Sequence, residues 1–234
     1  ASTFLTEISR GDTLDDRELD VAEGDERSIS DLLVDQVEFA DIVPILDAYP
    51  NLQHLRVRGN AGSKGQLRGE ALRSLQLEGS NLTRIVLEQV SGAHLPALEH
   101  LEVWLGPSEY ADPKTAKDVE PILSGKLFPK LRYLGLRDSD IACDVAVAVA
   151  SSPILGRLEV LDLSLGNLGD RGAQALIASP DTRKLKELRI QHHFISDAVL
   201  KQLKGLGVSV KGSAGDGDED DDDGEVRRYV AVGE

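Results

Sequence analysis

The chain has 234 residues, room for one large domain or two small ones. Its formal charge of −15 argues against a general nucleic-acid binder, which needs surplus Lys and Arg, and equally against docking on anionic membranes. No apolar run nears the roughly 18 residues that span a bilayer, and a single cysteine, Cys143, excludes an internal disulfide framework and suits a reducing cytoplasm.

The first expected element is a strand, Thr3–Ile8 (TFLTEI), which assigns residues 1–10 to an incomplete N-terminal repeat. The chain contains no methionine, so Ala1 is not a retained start and a longer protein is expected. Ala1–Asp12 lacks the basic stretch and long apolar stretch of a signal peptide. Gly11–Arg27 carries eight acids and two arginines with few apolar residues, and residues 11–29 are read as an acidic surface loop.

From residue 30 to residue 211 one pattern recurs, Leu-x-x-Leu-x-Leu. Its six copies are Leu52-Leu55-Val57, Leu72-Leu75-Leu77, Leu98-Leu101-Val103, Leu131-Leu134-Leu136, Leu158-Leu161-Leu163 and Leu185-Leu188-Ile190. All eighteen positions are aliphatic, against a 41% hydrophobic frequency in the chain. The copies are spaced by 20, 26, 33, 27 and 27 residues, so only the third carries a clear insertion. Leucine-rich repeats have periods of about 20–29 residues. A short strand in each copy sends its aliphatics to one face. A turn follows, after which Leu82, Ile141, Leu168 and Ile195 return to the core.

Helices are expected between the strands, over Asp41–Ala48, Asp118–Leu123, Ala142–Ser151, Asp170–Ala178 and Asp197–Leu206. Pro50, Pro96, Pro129 and Pro153 stand near helix ends, where proline belongs. The fold class is therefore α/β, a solenoid with a parallel sheet on the concave face and helices on the convex face. Residues 212–225 contain the run GDEDDDDG, which repels itself and reads as a disordered linker. It misses calcium-loop spacing, because with Gly224 as the sixth position the twelfth is Val230 rather than Glu. Residues 226–234 end the chain as a basic-then-apolar tail.

No catalytic or metal constellation emerges. His54, His94, His100, His192 and His193 show no metal-ligand spacing, and no Gly-rich phosphate loop occurs. His193 reads as a structural histidine at a turn. Cys143 reads as a buried, inert thiol among small apolar residues. The expectation is a chain without catalytic residues, metal or cofactor.

Binding has more support. Strand positions between the buried aliphatics point out of the concave face and place four arginines and four acids there. The contact candidates are Arg56, Arg58, Glu78, Glu102, Trp104, Tyr133, Arg137, Asp162 and Arg189. Trp104, Tyr133 and Arg137 are of the types enriched in interface hot spots. The insertion Gly106–Phe128, with Tyr110 and Pro113, could instead cover Trp104. The tail candidates are Arg227, Arg228, Tyr229, Val230 and Val232, which could fold back on a sheet edge, add a strand to another protein or present a modification site.

Leu158–Leu168 (LEVLDLSLGNL) followed by Gly169-Asp170-Arg171-Gly172-Ala173 resembles the ribonuclease-inhibitor-like class of leucine-rich repeats. More narrowly, the motifs around Trp104-Leu105-Gly106, Leu136–Ile141, Leu163–Gly166, His192–Ser196 and Arg228–Val232 resemble an uncharacterised family of bacterial leucine-rich-repeat proteins. That resemblance runs from about Asp41 to Glu234 and implies an additional N-terminal region. Gln191 stands where the family usually shows a third histidine, which weakens a histidine-cluster metal site. No catalytic residues carry over. Together these readings point to a cytoplasmic module that binds a protein or peptide, with no nucleic-acid or membrane partner. The alternative is a substrate or carrier whose acidic C-terminal tail is modified by a partner enzyme.

Overall fold

The computed structural model describes residues 6–9, 42–58, 65–79, 82–107, 114–215, 218–219, 226–227 and 230–231. The expected acidic loop at 11–29 lies outside the described residues, as do Tyr110, Pro113, Arg228, Tyr229 and Val232.

The eighteen repeat aliphatics are what build the molecule. Each is no more than 6% exposed, and together they form one continuous core. The strands that carry them are β2 (His54–Arg58), β3 (Ser74–Glu78), β4 (His100–Gly106), β5 (Tyr133–Ser139), β6 (Val160–Asp162) and β7 (Glu187–Arg189). A further strand, β8 (Ser209–Lys211), continues the series beyond the last copy. From β2 to β8 every neighbouring pair is parallel and follows chain order, giving a seven-strand parallel array.

Helices return the chain behind the sheet. They are α1 (Val43–Ala48), α2 (Arg84–Ser91), α3 (Ala116–Leu123), α4 (Ala142–Ala150), α5 (Asp170–Ala178) and α6 (Asp197–Lys204). Short 3-10 turns at Leu155–Arg157 and Pro180–Lys184 extend two of the returns. The start of α3 is fixed by Asp118, whose carboxylate accepts the Thr115 backbone N–H at 2.7 Å. Gly172 lets α5 lie close on α4, since a Cβ there would stand 2.7 Å from Leu168 Cδ1 and 3.0 Å from the Cys143 Cα. The half-buried Cys143 accepts the Gly169 N–H on its sulfur at 3.2 Å, a structural use of the thiol.

Three successive repeats leave their strands in the same way. Asp138, Leu165 and His192 each take a left-handed φ, at 52°, 70° and 59°, and they are spaced one 27-residue repeat apart. His193 follows the last of these corners, 3% exposed, and its Nδ1 accepts the Ile195 N–H at 3.2 Å.

Both ends of the array differ from expectation. The N-terminal strand is Thr6–Ser9 (β1), and it pairs antiparallel with β2. It therefore does not continue the repeat direction, as a strand of an earlier repeat would. At the other end, ordered chain runs past residue 211. Ser213 accepts the His193 N–H through its carbonyl at 3.2 Å, and the Gly215 N–H returns a bond to the His193 carbonyl at 2.9 Å. Small residues here let the backbone lie against the last corner, so the disordered reading of 212–225 fails for its first residues. Within the same stretch, β9 (Asp218–Glu219) pairs antiparallel with β10 (Val226–Arg227).

Candidate functional site

Strand register sorts the concave face into rows. The middle row runs Arg56, Gln76, Glu102, Gly135, Asp162, Arg189 and Lys211 across seven strands. Trp104 pairs with Arg137 in the next row, and His100 pairs with Tyr133 in the row before.

At the centre the side chains interlock. The Tyr133 hydroxyl stands 3.0 Å from Glu102 Oε2 and 2.9 Å from Asp162 Oδ2, bridging two buried carboxylates. Glu102 Oε1 accepts the indole N–H of Trp104 at 2.8 Å and a guanidinium N–H of Arg137 at 2.7 Å. Arg137 lies over the Trp104 ring, 5.0 Å from its centroid. His100 stacks on Tyr133 with centroids 3.8 Å apart, and Arg189 covers Tyr133 at 5.5 Å. Asp162 Oδ1 accepts the Ser164 N–H at 2.9 Å, which fixes that carboxylate from behind.

Gly135 makes this arrangement sterically feasible. A Cβ there would come within 3.0 Å of Glu102 Cγ and 3.2 Å of Tyr133 Cε1. Its missing side chain gives the phenol ring room to lie beside the strand between Glu102 and Asp162.

The charges shift accordingly. Burial opposes ionisation of Glu102, but the Trp104 N–H and the Arg137 guanidinium outweigh it and hold the carboxyl below its usual range. Burial, then the two carboxylates, pushes the Tyr133 phenol far upward, so it keeps its proton at neutral pH. Burial lowers His100, with Glu102 only partly offsetting it, which favours a neutral imidazole. Burial alone would lower Arg137, but Glu102 and Asp162 raise it.

A second cluster sits toward the N-terminal end. Arg56 Nε and Arg58 Nε each reach a different oxygen of Glu78 at 2.7 Å. The sequence reading counted the face as charge-balanced. Burial divides the two signs: the side chains of Glu78, Glu102 and Asp162 are 4%, 7% and 3% exposed, while Arg56, Arg58 and Arg189 are 40%, 55% and 45% exposed.

The nine concave-face candidates thus fall into a central cluster of Glu102, Trp104, Tyr133, Arg137, Asp162 and Arg189, and a lateral one of Arg56, Arg58 and Glu78. His100, Gly135 and Lys211 belong with them but were not among the candidates. A glycine in a row of large residues was the available signal for Gly135. Of the tail candidates, Arg227 lies in β10 and Val230 is buried at 5%. The neighbouring Ala231 N–H donates to the Leu165 carbonyl at 2.7 Å. The tail folds back on the turn after β6 rather than hanging free there.

Among the described residues no group of three or more His, Cys, Asp or Glu could hold a metal ion. Among them, too, no helix is long and apolar enough to cross a membrane.

A leucine-rich-repeat family model matches residues 158–176, the copy that contains β6 and most of α5. A solved crystal structure of a Bacteroides fragilis protein is similar, with a TM-score of 0.72 and 29% identity over 88% of this chain. This chain spans 57% of that protein's length. No functionally curated protein matches it in sequence. With its repeated aliphatic pattern, seven parallel strands and helices between them, the chain has the α/β architecture of a leucine-rich-repeat solenoid and is a leucine-rich-repeat module.

Proposed function

We propose that this is a non-catalytic, cytoplasmic module that binds a protein or peptide on its concave face, within the bacterial family its motifs resemble. Trp104, Tyr133, Arg137 and Arg58 are the anchors. The observation that carries the reading is the central cluster, in which rings and guanidiniums are already held in place by Glu102 and Asp162. Groups fixed before binding lose less conformational freedom on binding. Buried aromatic and Arg anchors commonly cost about 2–4 kcal/mol when truncated at an interface.

The test is affinity capture from the native host, followed by titration of the captured partner. Replacing Trp104 and Arg137 by Ala should weaken binding at least tenfold, measured on protein that far-UV circular dichroism shows to be folded, because the same change lowers the urea midpoint by uncovering Glu102 and Asp162. Unchanged affinity would remove the concave face from consideration. The substrate or carrier alternative needs a tail that an enzyme can reach, and the docked Val230 and Ala231 count against it. Intact mass of the natively expressed protein decides that point.

A further inference from the structure

Resting on the concave face as the docking surface, the partner's chemistry follows from which of its charges are accessible. We propose that the partner presents an extended acidic segment that crosses the strands, with one carboxylate on Arg58 and another on Arg189; Arg56, whose Nε and a terminal N–H both go to Glu78, holds Glu78 in place beside Arg58. An apolar side chain between them rests on the half-buried ring of Trp104.

The acids of the face are spent internally. Glu78, Glu102 and Asp162 lie beneath the side chains they hold, and Glu187 is the most open acid on the described part of the face, at 25%. Glu7 stands at the register position beside Arg56 on β1. What projects is cationic. Arg58 gives Glu78 its Nε–H, one of the five N–H groups a guanidinium carries. Arg189 gives Glu187 its Nε–H at 2.5 Å, and Lys211 is exposed beyond it. A surface of outward donors is complemented by acceptors, and planar guanidiniums favour carboxylates in bidentate geometry.

Spacing sets the length. Arg56 on β2 and Arg189 on β7 are five strands apart in one row, about 24 Å at the usual spacing between strands. An extended peptide covers that distance in about seven residues. Midway sit the Trp104 ring, half-buried, and the His100–Tyr133 stack.

The acidic net charge of the chain does not oppose this. Residues 11–27 contribute −6 (eight acids, two bases) and residues 212–225 contribute −8 (eight acids, no bases), which leaves −1 for the rest.

The experiment pans a displayed library of random dodecapeptides on the full chain, then measures the winners by fluorescence anisotropy. The expected winners carry Asp or Glu pairs about seven residues apart. They should bind at least tenfold more weakly to the Arg58→Glu, Arg189→Glu variant and weaken with added salt. Basic or uncharged winners, or no winners, overturn the proposal. Winners that ignore the charge reversal but are lost with Trp104→Ala overturn the acidic partner and leave the concave face standing. Winners indifferent to both variants overturn the face as well. Enrichment that appears only when Asp220, Asp221, Asp222 and Asp223 are replaced by Ser assigns the arginines to the chain's own acidic run and also overturns the proposal.

Discussion

Replacing Tyr133 by Phe removes one oxygen atom and leaves the ring, so it isolates the bridge between Glu102 and Asp162. Both carboxylate oxygens lie within 3.0 Å of that atom, so they are at most about 6 Å from each other. The phenol has one hydrogen to give, so the variant loses one hydrogen bond to a charged group, worth about 1.5–3 kcal/mol. It also leaves two like charges facing each other with no shared hydrogen between them. At an effective dielectric near 20 and a separation of about 6 Å they repel by about 3 kcal/mol, but they do so in the parent chain as well, so this repulsion adds little to the loss. The Arg137 guanidinium remains beside both carboxylates, so the expected net loss is about 1.5–3 kcal/mol, that of the one bond. Urea denaturation at pH 7 should show the midpoint falling with the slope unchanged. Glu102 titrates below its usual range in the folded chain. The stability it contributes is therefore complete above its ordinary value of 4.5 and is lost as pH falls through the lower folded value. Once acid neutralises Glu102, the bond to it is no longer to a charged group, so the penalty of Tyr133→Phe should shrink as pH falls below 4.5. A loss under about 0.5 kcal/mol at pH 7, or one that stays constant as the pH falls until the chain unfolds, would refute the bridging role.

Gly135→Ala should destabilise the chain by about 1–3 kcal/mol through overpacking against Glu102 and Tyr133, read as a lower thermal midpoint. An unchanged midpoint would mean that the phenol has other room. His193 is held below its ordinary value by burial, then by the Lys204 and His192 charges, and its Nδ1 must stay unprotonated to accept the Ile195 N–H. The stability it contributes is complete above about pH 6.5 and is lost as pH falls toward its folded value. His193→Asn should flatten urea midpoints between pH 7 and pH 5, and an identical slope would reject the assignment. Val230→Asp should undock the tail, and with about 1.5–3 kcal/mol of burial lost, limited proteolysis after residue 215 should speed up roughly tenfold to a hundredfold. Equal cleavage of both proteins would show that Val230 is not the anchor.

The core was legible because each repeat states it three times over, at fixed spacing, and burial of Leu or Val needs no particular partner. The same logic explains what escaped. By register with Leu188, Val210 is the middle aliphatic of a seventh copy, which puts Gly207 and Gly212 where the other two should stand. With one apolar position of three, the pattern vanishes although the strand remains. The face residues were legible as a list, since alternation along a strand fixes which way each points. Their division into buried acids and outward arginines was not. It depends on a phenol occupying the space above Gly135 and on one carboxylate collecting Trp104, Arg137 and Tyr133, and contacts between strands 31 or 35 residues apart leave no local trace. Val230 was among the tail candidates, but where the tail docks was not legible, because the neighbouring Ala231 bonds to the turn at Leu165, 66 residues earlier in the chain.

An array of parallel strands has two unlike edges, and unlike edges fit each other. The leading edge of one copy could accept the trailing edge of the next without limit, which is how open-ended fibres arise. Among the described residues, the sheet starts with β1, whose direction is reversed relative to β2. A second copy offering β8 to this edge, in the orientation that extends the solenoid, could pair only antiparallel and so would not continue the parallel repeat. Among the described residues, a single reversed four-residue strand is where the parallel array stops.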